Sequence, residues 1–135
     1  IQRTIIFYES ALIKLMDDIF INLTNHPSEK WEESQRVEAQ KYGKIVDIPF
    51  PNVDAYATET QVEDSGRKIG EKVLEYSPAA VLCQGEFTLA FQVINMLLDQ
   101  DITVVAACSE RIVKEVGNKK ESYFNFKKFR KYTRR

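Results

Sequence analysis

The sequence predicts a single α/β domain with a Rossmann-like parallel sheet, helices on both faces of that sheet and a C-terminal antiparallel hairpin. From residue 18 onward, short apolar runs alternate with longer segments of helical pattern, which is typical of a parallel sheet with crossover helices. The run at residues 79–83 has no polar alternation, as expected for a strand covered on both faces. The chain has 135 residues, a length that fits one domain with one core.

The first part of this domain contains two predicted strands with a helix between them. Residues 19–23 form an apolar run that predicts a buried strand, and Pro27 blocks its continuation. Ser28 is the predicted N-cap of the following helix, which ends at Gly43. Residues 44–50 form the second predicted strand.

The middle of the chain continues the alternation of helices and strands. Thr58 is the predicted N-cap of a helix that runs to about residue 76. The third strand, at residues 79–83, is followed by a strongly apolar helix at residues 87–98. Residues 102–107 form a fourth buried strand, so four strands alternate with three helices.

The C-terminal segment predicts an antiparallel strand pair. After a turn at residues 117–118, residues 122–132 alternate between two faces of a predicted strand. Residues 123, 125 and 127 lie on one face and residues 124, 126 and 128 on the other, a pattern typical of a hairpin with one solvent-exposed face. Right-handed crossovers leave few orders for the parallel strands, and we favour 2-1-3-4. This order places the topological switch point between the first and third strands, where ligands bind at the carboxyl ends.

Residues 1–15 differ from the rest of the chain in their pattern of apolar residues. Their apolar residues cluster in a pattern that predicts an amphipathic helix, and the chain begins at Ile1 without an initiator methionine. Met16 is a plausible start. We therefore expect residues 1–15 to be an extension, or a stretch foreign to the native protein, and residues 16–135 to form the single Rossmann-like domain.

The charge is distributed unevenly. Residues 119–135 hold eight basic residues and one acidic residue, a net charge of +7. The rest of the chain therefore carries −8, since the formal net charge is −1. A basic end on an acidic body favours an anionic ligand or partner, and a solvated, solubilising tail explains it equally well.

The two cysteines bear on compartment and metal binding. Cys83 and Cys108 lie inside apolar runs, which predicts free core thiols in a reducing compartment. One histidine and two separated cysteines do not supply a zinc ligand set, and we expect neither metal nor cofactor. No apolar run approaches the roughly 20 residues that span a bilayer, and no secretion signal is present, so we expect a cytoplasmic protein without membrane partners.

Polar clusters follow three of the predicted buried strands. Because parallel strands place their carboxyl ends at one edge, these clusters should converge there, and the sequence predicts a functional site at that edge. The clusters are residues 24–28, 84–86 and 109–111, with the candidate residues Thr24, Asn25, His26, Ser28, Gln84, Gly85, Glu86, Ser109 and Arg111.

His26 is the only imidazole and has two interpretations. It can act as a general acid or base near neutral pH. Alternatively, the Asn-His-Pro-Ser segment is an ordinary strand-to-helix turn in which His26 packs on Trp31.

Two further candidates point to phosphate. Gly85 lets the backbone approach a ligand, and the N–H groups that open the next helix favour an anion there. Alternatively, Gly85 only relieves crowding at a strand end, and Glu86 only interacts with the helix dipole. Arg111 has the planar donor fork that matches phosphate oxygens, although an ion pair with Glu86 or Glu110 would also explain it.

The sequence lacks the common catalytic motifs. It contains no Walker loop, no G-x-G-x-x-G, no G-x-S-x-G and no metal-ligand spacing, which excludes many enzyme classes. The remaining polar set can bind a phosphodiester. It can also help a ribose 2′-hydroxyl attack its own phosphate, a reaction that depends on positioning and charge stabilisation more than on a metal.

Several segments resemble small stand-alone CRISPR-associated proteins, a group that includes ring nucleases degrading cyclic oligoadenylate second messengers. The resemblance lies in Gln-Gly-Glu-Phe-Thr at residues 84–88, in residues 106–111, and in Phe-x-x-Phe-Arg-x-Tyr at residues 126–132. Residues 21–28 are similar to the first strand and loop of that group. The resemblance covers roughly residues 17–132.

The resemblance implies a Rossmann-like homodimer that places cyclic oligoadenylate, and no long nucleic acid, on the joint surface of two strand-edge loops. Cleavage is not implied by the resemblance, but we expect this protein of antiviral defence to cleave the ring without a metal. Because the three clusters converge at one sheet edge, we expect the catalytic residues to be His26, Asn25 and Ser109. The expected ligand-binding residues are Thr24, Ser28, Gln84, Gly85, Glu86, Thr88 and Arg111. Two alternatives stay open. One is a module that senses or sequesters the nucleotide without turnover, and the other is a protein-interaction domain that uses the basic hairpin.

Overall fold

The computed structural model describes residues 18–134, so the extension predicted at residues 1–15 lies outside the described part of the chain. The domain is an α/β fold with one sheet and three α-helices. The elements in chain order are β1 (Ile19–Thr24), a 3-10 turn (Ser28–Lys30), α1 (Glu33–Gln40), β2 (Lys44–Pro49), α2 (Glu59–Leu74), β3 (Ala80–Cys83), α3 (Phe87–Asp99), β4 (Thr103–Val116) and β5 (Lys119–Lys131).

The sheet has the strand order β2-β1-β3-β4-β5. The first four strands are parallel, and β5 pairs antiparallel with β4. The predicted order 2-1-3-4 and the C-terminal antiparallel hairpin are therefore confirmed. The switch point lies between β1 and β3, because the connections leave β1 toward β2 on one side and enter β3 on the other.

Helices cover both faces of the sheet, and alternate strand residues point to each face. On one face, α1 packs over Phe20, Leu82 and Val105, with Trp31 closing the layer. On the opposite face, α2 and α3 cover a larger cluster that includes the fully buried Ile21.

Helix α2 begins as predicted and packs closely on α3. The Thr58 hydroxyl accepts a hydrogen bond from the Gln61 N–H, and the Gln61 side chain accepts one from the Thr58 N–H, which completes a capping box. A methyl group at Gly70 would lie 2.3 Å from the Met96 sulfur. The absence of a side chain at Gly70 therefore lets the two helices approach each other.

Helix α1 differs from the prediction at its start. It begins at Glu33 rather than after Ser28, which lies in the 3-10 turn. The physical reason is Asp47 on β2, whose Oδ2 accepts hydrogen bonds from both the N–H and the hydroxyl of Ser28. Ser28 therefore holds the loop to a neighbouring strand instead of capping a helix.

The fourth strand is longer than predicted. Pairing of β4 with β3 ends at Val105, but β4 continues to Val116 because β5 supplies hydrogen-bond partners along its whole second half. Ser109 and Arg111 therefore lie in a strand, and the prediction of a third loop at residues 109–111 is wrong. A bulge between Cys108 and Ser109 marks where the parallel sheet gives way to the projecting hairpin.

Within residues 18–134, no helix is long and apolar enough to cross a membrane.

Candidate functional site at the carboxyl edge of the sheet

A cleft of about 540 Å³ lies at the carboxyl edge of the parallel strands, on the face covered by α1. It is lined by Thr24 at the end of β1 and His26 in the loop after it, by Gln84 after β3 and by Ser109 of β4. The structure thus brings members of all three predicted clusters together. Additional lining residues include Lys30, Trp31, Glu32, Gln35, Phe124 and Phe126.

A buried hydrogen-bond network holds the loop that carries His26. The Asn22 side chain is 1% exposed, and its Nδ2 donates to the His26 carbonyl at 2.9 Å and to Asp47 Oδ1 at 3.1 Å. The Thr24 hydroxyl donates to Asn22 Oδ1 at 2.8 Å and accepts from the His26 N–H at 3.0 Å. The Trp31 indole N–H donates to the same His26 carbonyl at 3.0 Å. The backbone of His26 is therefore fixed while its side chain stays exposed in the cleft.

The network depends on two residues that the sequence reasoning missed. Asn22 and Asp47 are polar residues inside apolar strands, and the parallel register places them side by side. A polar residue within each of two apolar runs that form neighbouring strands was the available signal. The contact that joins Trp31 to His26 is a hydrogen bond from the indole N–H to the His26 carbonyl.

Two of the predicted site residues in the first loop lie outside the cleft lining. Asn25 is exposed, and Ser28 directs its hydroxyl to Asp47. Of the three residues implied as catalytic, His26 and Ser109 line the cleft and Asn25 does not.

The end of β3 supplies one cleft residue and one packing residue. The Gln84 Oε1 accepts a hydrogen bond from the Ala107 N–H at 3.1 Å, which ties the loop after β3 to β4. A methyl group at Gly85 would lie 2.3 Å from the ring of Phe50, which is buried. Gly85 is therefore required by the close approach of Phe50, and the interpretation as relief of crowding accounts for it.

The N-terminus of α3 is already occupied. The Glu86 carboxylate accepts hydrogen bonds from the Thr88 hydroxyl and from the N–H groups of Thr88 and Leu89. These bonds, the one from the hydroxyl above all, hold the pKa of Glu86 below its ordinary value of 4.5. The predicted phosphate position at this helix start is thus filled by the chain's own carboxylate. Glu86 and Thr88 cap α3 rather than line the cleft.

The hairpin forms the outer wall of the cleft. Ser109 pairs with Phe126 across the strands, and Arg111 pairs with Phe124. Because side chains alternate along a strand, Arg111 lies on the same face as Ser109, two residues farther toward the tip of the hairpin. Glu110 points to the opposite face and lies 3.5 Å from the Lys127 ammonium, so the predicted alternative ion pair of Arg111 with Glu110 is not formed.

The cysteines do not enter the site. Both are free, Cys83 being buried and Cys108 half-buried, in agreement with the predicted free thiols. Burial raises the pKa of the Cys83 thiol to about 12, so this sulfur stays protonated at neutral pH and is not a nucleophile. In the part of the chain that the structure describes, no three His, Cys, Asp or Glu side chains group as a metal site.

The cleft therefore combines five kinds of group, one of which is the Glu32 carboxylate, which accepts a hydrogen bond from the Phe126 N–H. His26 supplies a titratable imidazole, and Gln84 and Ser109 supply neutral hydrogen-bonding groups. Lys30 within the lining and Arg111 beside it supply positive charge. Phe124 offers an exposed aromatic surface against which a base can stack.

Comparison with the curated proteins finds no match for this chain. A family model, described as the Uncharacterized protein MJ1673 family, matches residues 18–130. This range includes all five strands to within one residue of the end of β5, and therefore both the cleft and the hairpin. The chain thus belongs to the Uncharacterized protein MJ1673 family.

Proposed function

We propose that the cleft binds cyclic oligoadenylate and cleaves one of its phosphodiester links without a metal, as a ring nuclease of antiviral defence. The observation that carries the proposal is the convergence of His26, Gln84 and Ser109 in one cleft, with Lys30 in its lining and Arg111 on the adjoining hairpin. The resemblance of residues 84–88, 106–111 and 126–132 to small CRISPR-associated proteins supports the choice of ligand. Action in the cytoplasm is part of the proposal, and the two free thiols support it.

The ligand's charge and shape match the groups in the cleft. Each phosphodiester carries one negative charge, and an arginine or lysine contact to it is a charge-assisted hydrogen bond. Arg111 offers a planar fork of donors beside the cleft, and Lys30 offers a point charge in its lining. An adenine base can stack on Phe124, whose side chain is 68% exposed and projects from the same face as Arg111.

The proposed reaction is an internal displacement. The ribose 2′-oxygen bonds to the adjacent phosphorus while the bond from phosphorus to the 5′-oxygen breaks, leaving a 2′,3′-cyclic phosphate and a free 5′-hydroxyl. His26 makes one of the two proton transfers, by accepting the 2′-hydroxyl proton or by donating a proton to the leaving 5′-oxygen, and solvent water makes the other. Gln84, Ser109 and the cations hold the phosphate in line with the attack. No step requires an ion or cofactor.

Incubation of the purified protein with cyclic tetra-adenylate in EDTA tests the proposal. We expect binding by titration calorimetry and a linear product with a cyclic phosphate end by mass spectrometry. Binding without product would favour the sensor or sequestering module over the nuclease. No binding of cyclic oligoadenylates of any ring size would overturn the proposal.

Two variants assign the roles, with melting temperature measured on each. Arg111→Ala should weaken binding about ten- to 150-fold, since a charge-assisted contact contributes about 1.5–3 kcal/mol. Lys114→Ala is the matched control, because Lys114 lies on the opposite face of the hairpin, over the Tyr123 ring. The affinity of this variant for the nucleotide should stay within about twofold of the parent's. His26→Ala should bind within a few fold and lose about two to four powers of ten in single-turnover rate. A stable His26→Ala protein with undiminished turnover would remove His26 from the mechanism.

A further inference from the structure

A second concave surface lies on the other side of the sheet, between α2 and α3. This groove has a volume of about 440 Å³ and is lined in part by Val62, Phe87 and Phe91. Phe87 is 89% exposed and Phe91 is 64% exposed, one helical turn apart on α3. Two neighbouring phenylalanines this exposed are unusual on a monomeric protein, and such apolar patches mark interaction surfaces.

The groove is also acidic. Its lining includes the exposed carboxylates Glu59 and Glu63, and none of its described lining residues is a lysine or arginine. The partner that fits it must therefore present apolar side chains together with positive charge.

The hairpin beyond the sheet has these properties. We define the arm as residues 112–123, the outer part of the β4–β5 hairpin, in which, within the described chain, each strand pairs only with the other. Val113, Val116 and Tyr123 are 53%, 58% and 43% exposed. The arm holds three cations, Lys114, Lys119 and Lys120, and two carboxylates, Glu115 and Glu121.

Within residues 18–134, the two strands of the arm pair only with each other. A two-stranded hairpin is marginally stable alone, and its edges are open to further contacts. None of the described residues of the groove lining belongs to the arm, so the arm does not fill the groove of its own chain. A second copy of the chain carries both an acidic apolar groove and a basic apolar arm.

We propose that two copies of this chain associate by reciprocal exchange, with the arm of each seated in the α2–α3 groove of the other. The exchange forms two equivalent contacts about a twofold axis, because each copy donates its own arm and receives the arm of the other in its groove. It covers Phe87 and Phe91 together with the apolar side chains of the arm. The inference rests on the two surfaces and not on the proposed nucleotide chemistry.

A charge-reversal exchange tests this dimer on the full chain by sedimentation velocity in the micromolar range. The groove variant combines Glu59→Lys with Glu63→Lys, and the arm variant combines Lys119→Glu with Lys120→Glu. Each alone should dimerise at least tenfold more weakly than the parent, because its arms and grooves then carry like charges. Mixed together, they should form a heterodimer with an affinity within about threefold of the parent, because both contacts again join opposite charges.

Controls separate this arrangement from other dimers. Glu71→Lys with Glu75→Lys places the same charge change in the last turn and at the C-cap of α2, outside the groove lining, and should leave the dimer intact. Circular dichroism checks that each variant is folded. A parent chain that is monomeric throughout the range would overturn the proposal. A dimer that weakens with the groove variant but not with the arm variant, or a mixture that does not recover, would overturn it as well.

Discussion

Buried Asn22 organises the loop that carries His26. Its amide donates to the His26 carbonyl and to Asp47, and its oxygen accepts from the Thr24 hydroxyl. An amide in an apolar strand is tolerated when its hydrogen-bonding capacity is met, and here three partners meet it. The side chain thus joins β1, β2 and the first loop at one point.

Replacing Asn22 by alanine should lower the free energy of unfolding by about 1–3 kcal/mol, because the buried Thr24 hydroxyl and the His26 carbonyl lose a partner. Asn25→Ala is the matched control, since Asn25 is exposed three residues away, and should change stability by no more than about 0.5 kcal/mol. Urea denaturation followed by tryptophan fluorescence measures both. Equal stability of the two variants would contradict the structural role of Asn22.

Helix α3 shows how an element can close its own N-terminus. The orphan N–H groups of a first turn attract anions, and the sequence interpretation offered them to a phosphate. In the folded chain the Glu86 carboxylate takes this place, with the Thr88 hydroxyl as a further donor. The cleft ligand must therefore be held by side chains from α1, the loops and the hairpin.

The Glu86 cap should make stability depend on pH. Because the folded pKa of Glu86 lies below its ordinary value of 4.5, the ionised cap stabilises the folded state above that pH. The stabilisation should be lost as the pH falls from about 4.5 through the lowered folded pKa. Melting curves from neutral pH downward should therefore show Glu86→Gln less stable than the parent at neutral pH, with the difference shrinking below pH 4.5. A difference that stays constant through this window would mean that the charge of Glu86 does not contribute.

The whole molecule separates a compact core from a projecting arm. The buried apolar residues of the described chain all lie outside residues 112–123. The cleft at the carboxyl edge and the α2–α3 groove lie on opposite faces of the sheet, so the two proposed functions use different surfaces.

Shortening the arm should separate association from folding. Replacing residues 112–123 by Asn-Gly joins Arg111 and Phe124, which are paired across the strands, by a two-residue hairpin turn. The melting temperature at low concentration should stay within about 4 °C of the parent, because no core residue is lost. Sedimentation should show a monomer, and nucleotide binding should persist, since Ser109, Arg111 and Phe124 remain. Loss of the cooperative melting transition would show instead that the arm belongs to the core.

Much of the fold follows from local pattern. Apolar runs such as residues 79–83, turn residues and caps such as Thr58 are properties of neighbouring residues, and chirality then limits the strand orders. The location of the cleft could be predicted for the same reason, because parallel strands bring their carboxyl ends to one edge. The sequence by itself therefore determined the α/β class, the order 2-1-3-4 and the edge at which His26, Gln84 and Ser109 meet.

Only the tertiary structure decided what each residue does at that edge. Gly85 is required by Phe50, which comes from the end of another strand, and Ser28 serves Asp47 of β2 rather than a helix. Residues 109–111 are a strand because β5, which follows later in the chain, supplies their hydrogen bonds. Each of these roles depends on a partner distant in sequence, and a pairwise contact of this kind leaves no periodic trace in the chain.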